Sequence, residues 1–534
     1  MRKLLLVIII FFGFILRFYQ IGVNPAGFFA DEAANGFNAY KILTTGRDEH
    51  GEFMPFYFQS FGDYRNPVTI YSMIFPIALF GLNEFAVRFT MVIYGSLTIL
   101  CLYLLMQEML SPDNSRIKRV AGIVAAFFLA VSPWHIQFNR TGFEFTTMPF
   151  FLTLGLYFCF KFINLIRENK NSSLRPWSFA VLSALSFVFT FYTYYPIQLV
   201  LWPFLLGIGF LYKKYLLVKN FQKGTILAGA VFLIGMIPFL SGVISGKAIT
   251  RFWSVSPIGN KQIEEVIKPM IETYKDHFSY DFLFRKGDVD MPRHFITRHS
   301  VRGLGELYVF QLPLLITGLV FMGLRNFRIF SVILIWILLY PIGSAVVGEG
   351  PFAHRSIFGV IPFQILSGYG LAVIVDLLVR FRFKVKWLNY YSKIYLFLLF
   401  LIIVSYSVTD YIHKYFVEYP LISADFWGWQ YGPREIVSYF KRQSNGYDEL
   451  IMSHEFNAPQ IFLKFYDPKG ECKGCMIGDA KRFDPTKKQL FALSKKQLDE
   501  VEARGMVMQK QKVINYPNGQ VAFVIGELSL FKDR

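Results

Sequence analysis

Apolar residues run along this chain in long blocks rather than in narrow stripes, and block length is the first clue to what they form. A helix rises 1.5 Å per residue, so crossing a hydrocarbon core about 30 Å thick takes roughly 20 apolar residues. Read at that length, the chain offers eleven candidate spans, at about residues 4–22, 89–107, 120–134, 148–166, 177–193, 196–212, 225–243, 306–323, 329–347, 356–378 and 394–410. The first follows Arg2 and Lys3 and reaches Arg17 with no cleavage site, so it reads as a retained anchor and not as a signal peptide.

The run at 68–80 is only thirteen residues long, with Pro67 at its head and Pro76 inside. Runs of that length are more often interfacial than spanning. Kept on the outer surface, it leaves every basic loop on one side. The inner segments then hold 20 Lys and Arg against three acids, Glu108, Asp113 and Glu168. The positive-inside rule places the amino terminus in the cytoplasm and, after eleven crossings, the carboxyl terminus outside.

Composition supports the same class: 54% of residues are hydrophobic and 17% charged, where about 25% charged is usual for a soluble domain. The formal charge of +18 would suggest nucleic acid in a soluble chain, but the inner segments alone supply a net +17 of it. Basicity therefore orients the chain in a lipid bilayer, and no nucleic-acid partner is expected. The expected fold is an all-α polytopic membrane protein over residues 1–410, followed by a small α/β extracytoplasmic domain over 411–534. In that tail, 433–440 and 458–465 read as helices, 449–453 as a strand and 513–525 as a hairpin. Cys472 and Cys475 lack a second ligand pair for zinc, which favours a disulfide in an oxidising exterior.

Two long outer loops precede the tail, at 23–88 and 246–305. The first carries seven acids against four basic residues and is too long for a simple connection. In the second, residues 260–278 have the spacing of an amphipathic helix, either lying on the outer leaflet or packed as a soluble loop, and Arg251, Phe252 and Trp253 precede it. Asp31 and Glu32 open a helical pattern in the first loop, where acids also serve as helix caps. Arg140 and Glu144, Tyr194 and Tyr195, and His354 and Arg355 fall at the outer ends of other spans. Together they form a collar of ionisable groups at one depth, costly near a bilayer unless used. A carboxylate there could act as a general base toward a hydroxyl, and arginines could grip a phosphate.

The ordered set of a first span ending in Arg17, the pair Asp31 and Glu32, TTGRDEHG around Gly46 and Gly51, RNPVTIY with Pro67 and Tyr71, FGLNEFAVRF with Gly81 and Arg88, and SPWHIQFNRTGFE at 132–144 resembles the GT-C superfamily of integral membrane glycosyltransferases. The branch it is most similar to contains protein O-mannosyltransferases and lipid A aminoarabinose transferases. The resemblance covers residues 1–410. It implies transfer of a sugar from a polyprenyl-phosphate carrier to a lipid, glycan or protein hydroxyl, with inversion at the anomeric carbon. Asp31 would match the catalytic acid, Glu32 its neighbour and Glu144 a second acidic residue, with Arg88 substrate-orienting or structural. Many relatives carry Lys or His before two prolines where this chain has Arg65, Asn66 and Pro67. Arg65, Arg88, Arg140, Tyr195, His354 and Arg355 are the expected substrate-binding residues. No metal is obligatory for such a leaving group, though a divalent ion is compatible, and the helix at 68–80 and the Phe-rich spans are expected to form the groove for the prenyl tail. Two other readings use the same features. One is an oligosaccharide ligase or polymerase on a lipid-linked glycan. The other is a secondary transporter, which predicts midplane charges and repeated halves.

Overall fold

The computed structural model describes residues 2–111, 115–168, 176–216, 218, 222–250, 263–291, 294, 296–381 and 386–530. A helix stands at the place of each of the eleven expected spans, from Arg2–Phe18 to Lys386–His413. Among the described residues, seven helical segments are both long and apolar enough to cross a membrane. The chain is a multi-pass membrane protein. Its outward apolar side chains, such as Phe11, Leu233, Phe397 and Ile402, are exposed as lipid-facing residues must be. The run at 68–80 forms the 14-residue helix Pro67–Phe80, which packs on helices Ala30–Thr45 and Glu84–Met109.

Small residues let the spans approach closely. A Cβ added to Gly370 would stand 1.9 Å from the carbonyl oxygen of Leu314, so helices Gln311–Arg325 and Val360–Arg380 touch backbone to backbone. Val360–Arg380 also packs along Ser115–Val131 and is the most buried of the long apolar helices. Arg17, at the end of the first helix, has no exposed surface. It donates to the carbonyls of Gly13, Leu129 and Ala130 and to Asn139 Oδ1, and meets His135 Nδ1 at 2.7 Å. A charge in that position is tolerable because every N–H has a partner.

The tail folds around a five-stranded sheet in the order Cys475–Gly478, Glu449–Ser453, Gln489–Ser494, Val521–Leu530, Met506–Asn515. The first three strands are parallel, and the last two form the antiparallel hairpin. Helices Pro433–Gln443 and Gln460–Tyr466 flank the sheet, and Cys472 and Cys475 form a disulfide. The stretch before Pro433 belongs to the membrane part, since Tyr411, Tyr415, Tyr419 and Trp429 lie in the core shared with the spans. The sheet unit docks through Phe465, whose ring lies 4.8 Å from that of Phe28, and through Lys464, which reaches Glu49 at 2.9 Å.

In the second outer loop, helix Ile263–Asp276 buries Val266 and Thr273 and exposes Ile267 and Ile271. Arg251, Phe252 and Trp253 lie outside the described residues.

Candidate functional site

Helix Ala30–Thr45 starts after an extended Phe29, and the Glu32 carboxylate reaches back to accept the Phe29 N–H at 3.2 Å. This is the return half of a capping box. Successive helical residues diverge by about 100°. Asp31 therefore lines a cavity of about 670 Å³ while Glu32 is fully buried behind it.

A hairpin absent from the sequence expectations delivers the next group. Strands Phe58–Ser60 and Asp63–Arg65 are joined through Phe61 and Gly62, at φ 54° and 79°. Two consecutive left-handed residues make the tight turn whose twist matches the paired strands, with Gly at its second position and the less tolerant Phe at its first. Arg65, at the end of the hairpin, donates from Nη2 to Asp31 Oδ1 at 2.7 Å and from Nη1 to Glu144 Oε1 at 3.2 Å. One guanidinium thus bridges two carboxylates from separate outer segments. Burial disfavours the Arg65 charge, yet Asp31 and Glu144 more than offset it and hold its pKa above the ordinary arginine value. The phenol of Tyr195 donates to the Tyr64 carbonyl at 2.8 Å, bracing the same hairpin from the start of helix Tyr195–Leu216.

The cavity is also lined by Arg298 and His299 from the second outer loop and by His354 and Arg355 from the turn before Val360–Arg380. Arg298 stacks over the Phe29 ring at 3.8 Å and donates from Nη1 to the Trp427 carbonyl at 2.6 Å. Its Nε is buried with no hydrogen-bond partner among the described residues. Burial pushes the Arg298 guanidinium down to about 10 while Asp31 pulls it up, so it remains a cation at neutral pH. The apolar end of the cavity is made by Leu199, Trp202 and Phe239, with Leu199 41% and Trp202 36% exposed on the membrane-facing side.

Asp31, Arg65, Glu144, Tyr195, His354 and Arg355 are therefore brought to one cavity, and Glu32, Arg88 and Arg140 are not. Glu32 was expected beside Asp31 as a catalytic residue. Instead it accepts from Arg88 Nε at 3.0 Å and Nη2 at 3.1 Å, and from the Gly142 N–H at 2.7 Å. Arg88 spends its remaining N–H groups on the carbonyls of Ile21, Pro25 and Gly27, which leaves none for a substrate. Arg140 donates to the carbonyls of Leu16, Arg17 and Asn24 and to the Tyr415 hydroxyl, tying the first span to the segment below the sheet unit. Helix Pro67–Phe80, expected as one part of the prenyl groove, does not line the cavity, whereas residues of the apolar spans do; the helix's Thr69 hydroxyl supports Glu144 by donating to that residue's carbonyl at 2.9 Å. Arg298 and His299 are among the lining residues that the sequence expectations omit. The only signal in the chain is their adjacency in an aromatic and basic outer loop.

Residues 65–241 match the sequence profile of the family described as dolichyl-phosphate-mannose-protein mannosyltransferase. No curated protein matches the chain significantly. Among solved structures, ArnT from Cupriavidus metallidurans in the apo state aligns over 97% of both chains, with a TM-score of 0.53 and 12% identity. The chain shares the fold of ArnT. The undecaprenyl phosphate complex of ArnT aligns over the same 97% of both chains, with a TM-score of 0.50 and 10% identity. The apo Archaeoglobus fulgidus oligosaccharyltransferase aligns over 87% of this chain with a TM-score of 0.53 and 14% identity, and this chain spans 64% of its length. In the ArnT alignments the likeness of fold takes in the sheet unit as well as the membrane part, whereas the sequence resemblance stopped at residue 410.

Proposed function

We propose that this GT-C chain transfers a sugar from a polyprenyl-phosphate carrier to an acceptor hydroxyl on the extracytoplasmic face, with inversion at the anomeric carbon. The observation that carries the reading is the sharing of one cavity by Asp31, held by Arg65 against Glu144, by the cations Arg298 and Arg355, and by an apolar wall of membrane helices. The prenyl chain enters past Leu199, Trp202 and Phe239. Arg298, with a buried Nε to spare, and Arg355 hold the phosphate. Asp31 takes the proton of the acceptor hydroxyl as its oxygen forms the new bond to the anomeric carbon. The bond from that carbon to the phosphate oxygen breaks with its electron pair going to the phosphate, whose growing charge the arginines stabilise.

The acceptor is a lipid, a glycan or a protein hydroxyl. The amino terminus lies in the cytoplasm and the sheet unit outside, as loop charge requires. A lipid-linked oligosaccharide would use the same base and phosphate grip, so donor choice separates a monosaccharide transferase from a ligase or polymerase. The test is turnover of radiolabelled polyprenyl-phosphate sugars by purified chain in lipid vesicles. The parent protein should consume at least one such donor, and Asp31→Asn should lose the activity while still folding. Parent-like turnover by Asp31→Asn would overturn the reading.

A further inference from the structure

Beside Arg298 lies a cluster, with His299 on the cavity wall, to which the proposed transfer assigns no role. Asp288, His294 and His299 converge there with side chains 0%, 0% and 4% exposed. Asp288 Oδ2 stands 3.6 Å from His294 Nε2 and 3.5 Å from His299 Nδ1, and one ligand atom from each of the three lies within 4.8 Å of the others. These separations are too long for good hydrogen bonds. Both ring nitrogens of His294 and Nδ1 of His299 are buried without a hydrogen-bond partner among the described residues. Asp288 has no Lys or Arg ion pair among them either. A buried carboxylate and two buried imidazoles left this way are expensive unless something joins them.

We propose that Asp288, His294 and His299 hold a divalent transition metal of the zinc type, which clamps the second outer loop to the turn carrying His354 and Arg355. Metal–ligand distances of 2.0–2.2 Å in a tetrahedral site put ligand atoms about 3.3 Å apart, close to the two separations from Asp288. Two imidazoles and one carboxylate suit zinc and its neighbours better than magnesium or calcium, which prefer oxygen alone. The carboxylate is also oriented as metal ligands usually are. Its Oδ2 accepts the Ala353 N–H at 2.9 Å, and Ser300 Oγ lies 2.6 Å from Oδ1 and 2.7 Å from Glu306 Oε1. The Ala353 contact carries the mechanical link, because His354 and Arg355 follow directly in the chain. Arg298 sits beside His299, so one ion at this position fixes both basic strips of the cavity wall. Of the three ligands His299 lines the cavity while Asp288 and His294 do not, so the metal positions the wall through His299.

The inference does not depend on the proposed transfer, because metal binding is read directly. Full-length chain purified in detergent without a histidine tag is stripped with chelator and titrated with Co²⁺, which gains strong visible absorption in a tetrahedral site. One Co²⁺ per chain should bind with that spectrum, and Zn²⁺ should displace it. Asp288→Asn and His294→Gln should lose it, and Ser300→Ala should bind about 10- to 100-fold more weakly. Asp31→Asn should keep the spectrum unchanged. Because variants of buried ligands can misfold, thermal unfolding is followed in parallel: added Zn²⁺ should raise the unfolding temperature of the stripped parent chain and not that of folded His294→Gln. The proposal is overturned if the stripped parent chain gives no tetrahedral spectrum, if His294→Gln gives the parent spectrum, or if Asp31→Asn abolishes it and so moves the ion to the cavity carboxylates.

Discussion

The adjacent acids Asp31 and Glu32 should respond to the same amide substitution in opposite ways. Glu32 accepts four hydrogen bonds, from Arg88 Nε and the Gly142 N–H on one oxygen and from Arg88 Nη2 and the Phe29 N–H on the other. Glu32→Gln replaces one oxygen with an NH₂ group that faces two donors, and it takes from the fully buried Arg88 the charge of its ion-pair partner. Breaking one side of a buried ion pair costs about 3–5 kcal/mol. That loss falls where Arg88 also pins the carbonyls of Ile21, Pro25 and Gly27. Asp31 is 31% exposed, and Arg65 keeps Glu144 when Asp31 becomes Asn, so Asp31→Asn should cost about 0–1 kcal/mol of stability. Its penalty is kinetic: loss of a general base removes about 10²- to 10⁴-fold, or about 3–5 kcal/mol of barrier. Thermal unfolding of both variants in detergent, followed through buried Trp134, Trp336 and Trp429, is paired with donor turnover. Glu32→Gln should unfold several degrees early or fail to accumulate, and Asp31→Asn should melt with the parent protein and turn over donor about 10²- to 10⁴-fold more slowly. A Glu32→Gln protein with parent-like stability and lost turnover would refute the division and assign the chemistry to the buried acid.

Arg298→Gln should fold normally and lower kcat/KM for a lipid-phosphate donor about 10- to 150-fold, the value of one charge-assisted hydrogen bond at about 1.5–3 kcal/mol; steady-state kinetics with a water-soluble short-chain donor would show it. Opening the disulfide by Cys472→Ser should destabilise the sheet unit by at most about 2 kcal/mol, because the loop it closes is very short, and should leave turnover unchanged in the same assay with and without reductant. Gly27→Ala should lower the unfolding temperature, since Gly27 has φ 109° and a Cβ there would stand 2.4 Å from the Trp429 carbonyl oxygen.

The spans were legible in the sequence because block length and loop charge are local quantities, and the hairpin of the tail because Asn518 and Gly519 mark its turn. The short edge strand Cys475–Gly478 and the strand Gln489–Ser494 gave no such signal; their place is set by pairing with Glu449–Ser453. The hairpin that carries Arg65 turns on Phe61 and Gly62, a pair without the usual turn chemistry, and the tertiary contacts of its ends hold it.

Arginine roles were harder to read than any element. Arg17, Arg65, Arg88, Arg140, Arg298 and Arg355 all sit near the outer ends of spans or in outer loops, and a run of letters does not distinguish a clamp on the chain from a grip on a substrate. The distinction lies in where five N–H groups go. Arg17 and Arg88 each make five hydrogen bonds inside the protein, and Arg140 makes four. Arg17 and Arg88 are saturated and Arg140 nearly so, and a phosphate would compete with contacts that hold the first span and outer loop together. Arg65 serves two carboxylates and thereby sets the position of Asp31. Arg298 keeps a buried donor in reserve on the cavity wall, which suits the proposed phosphate grip and which a structural arginine does not afford.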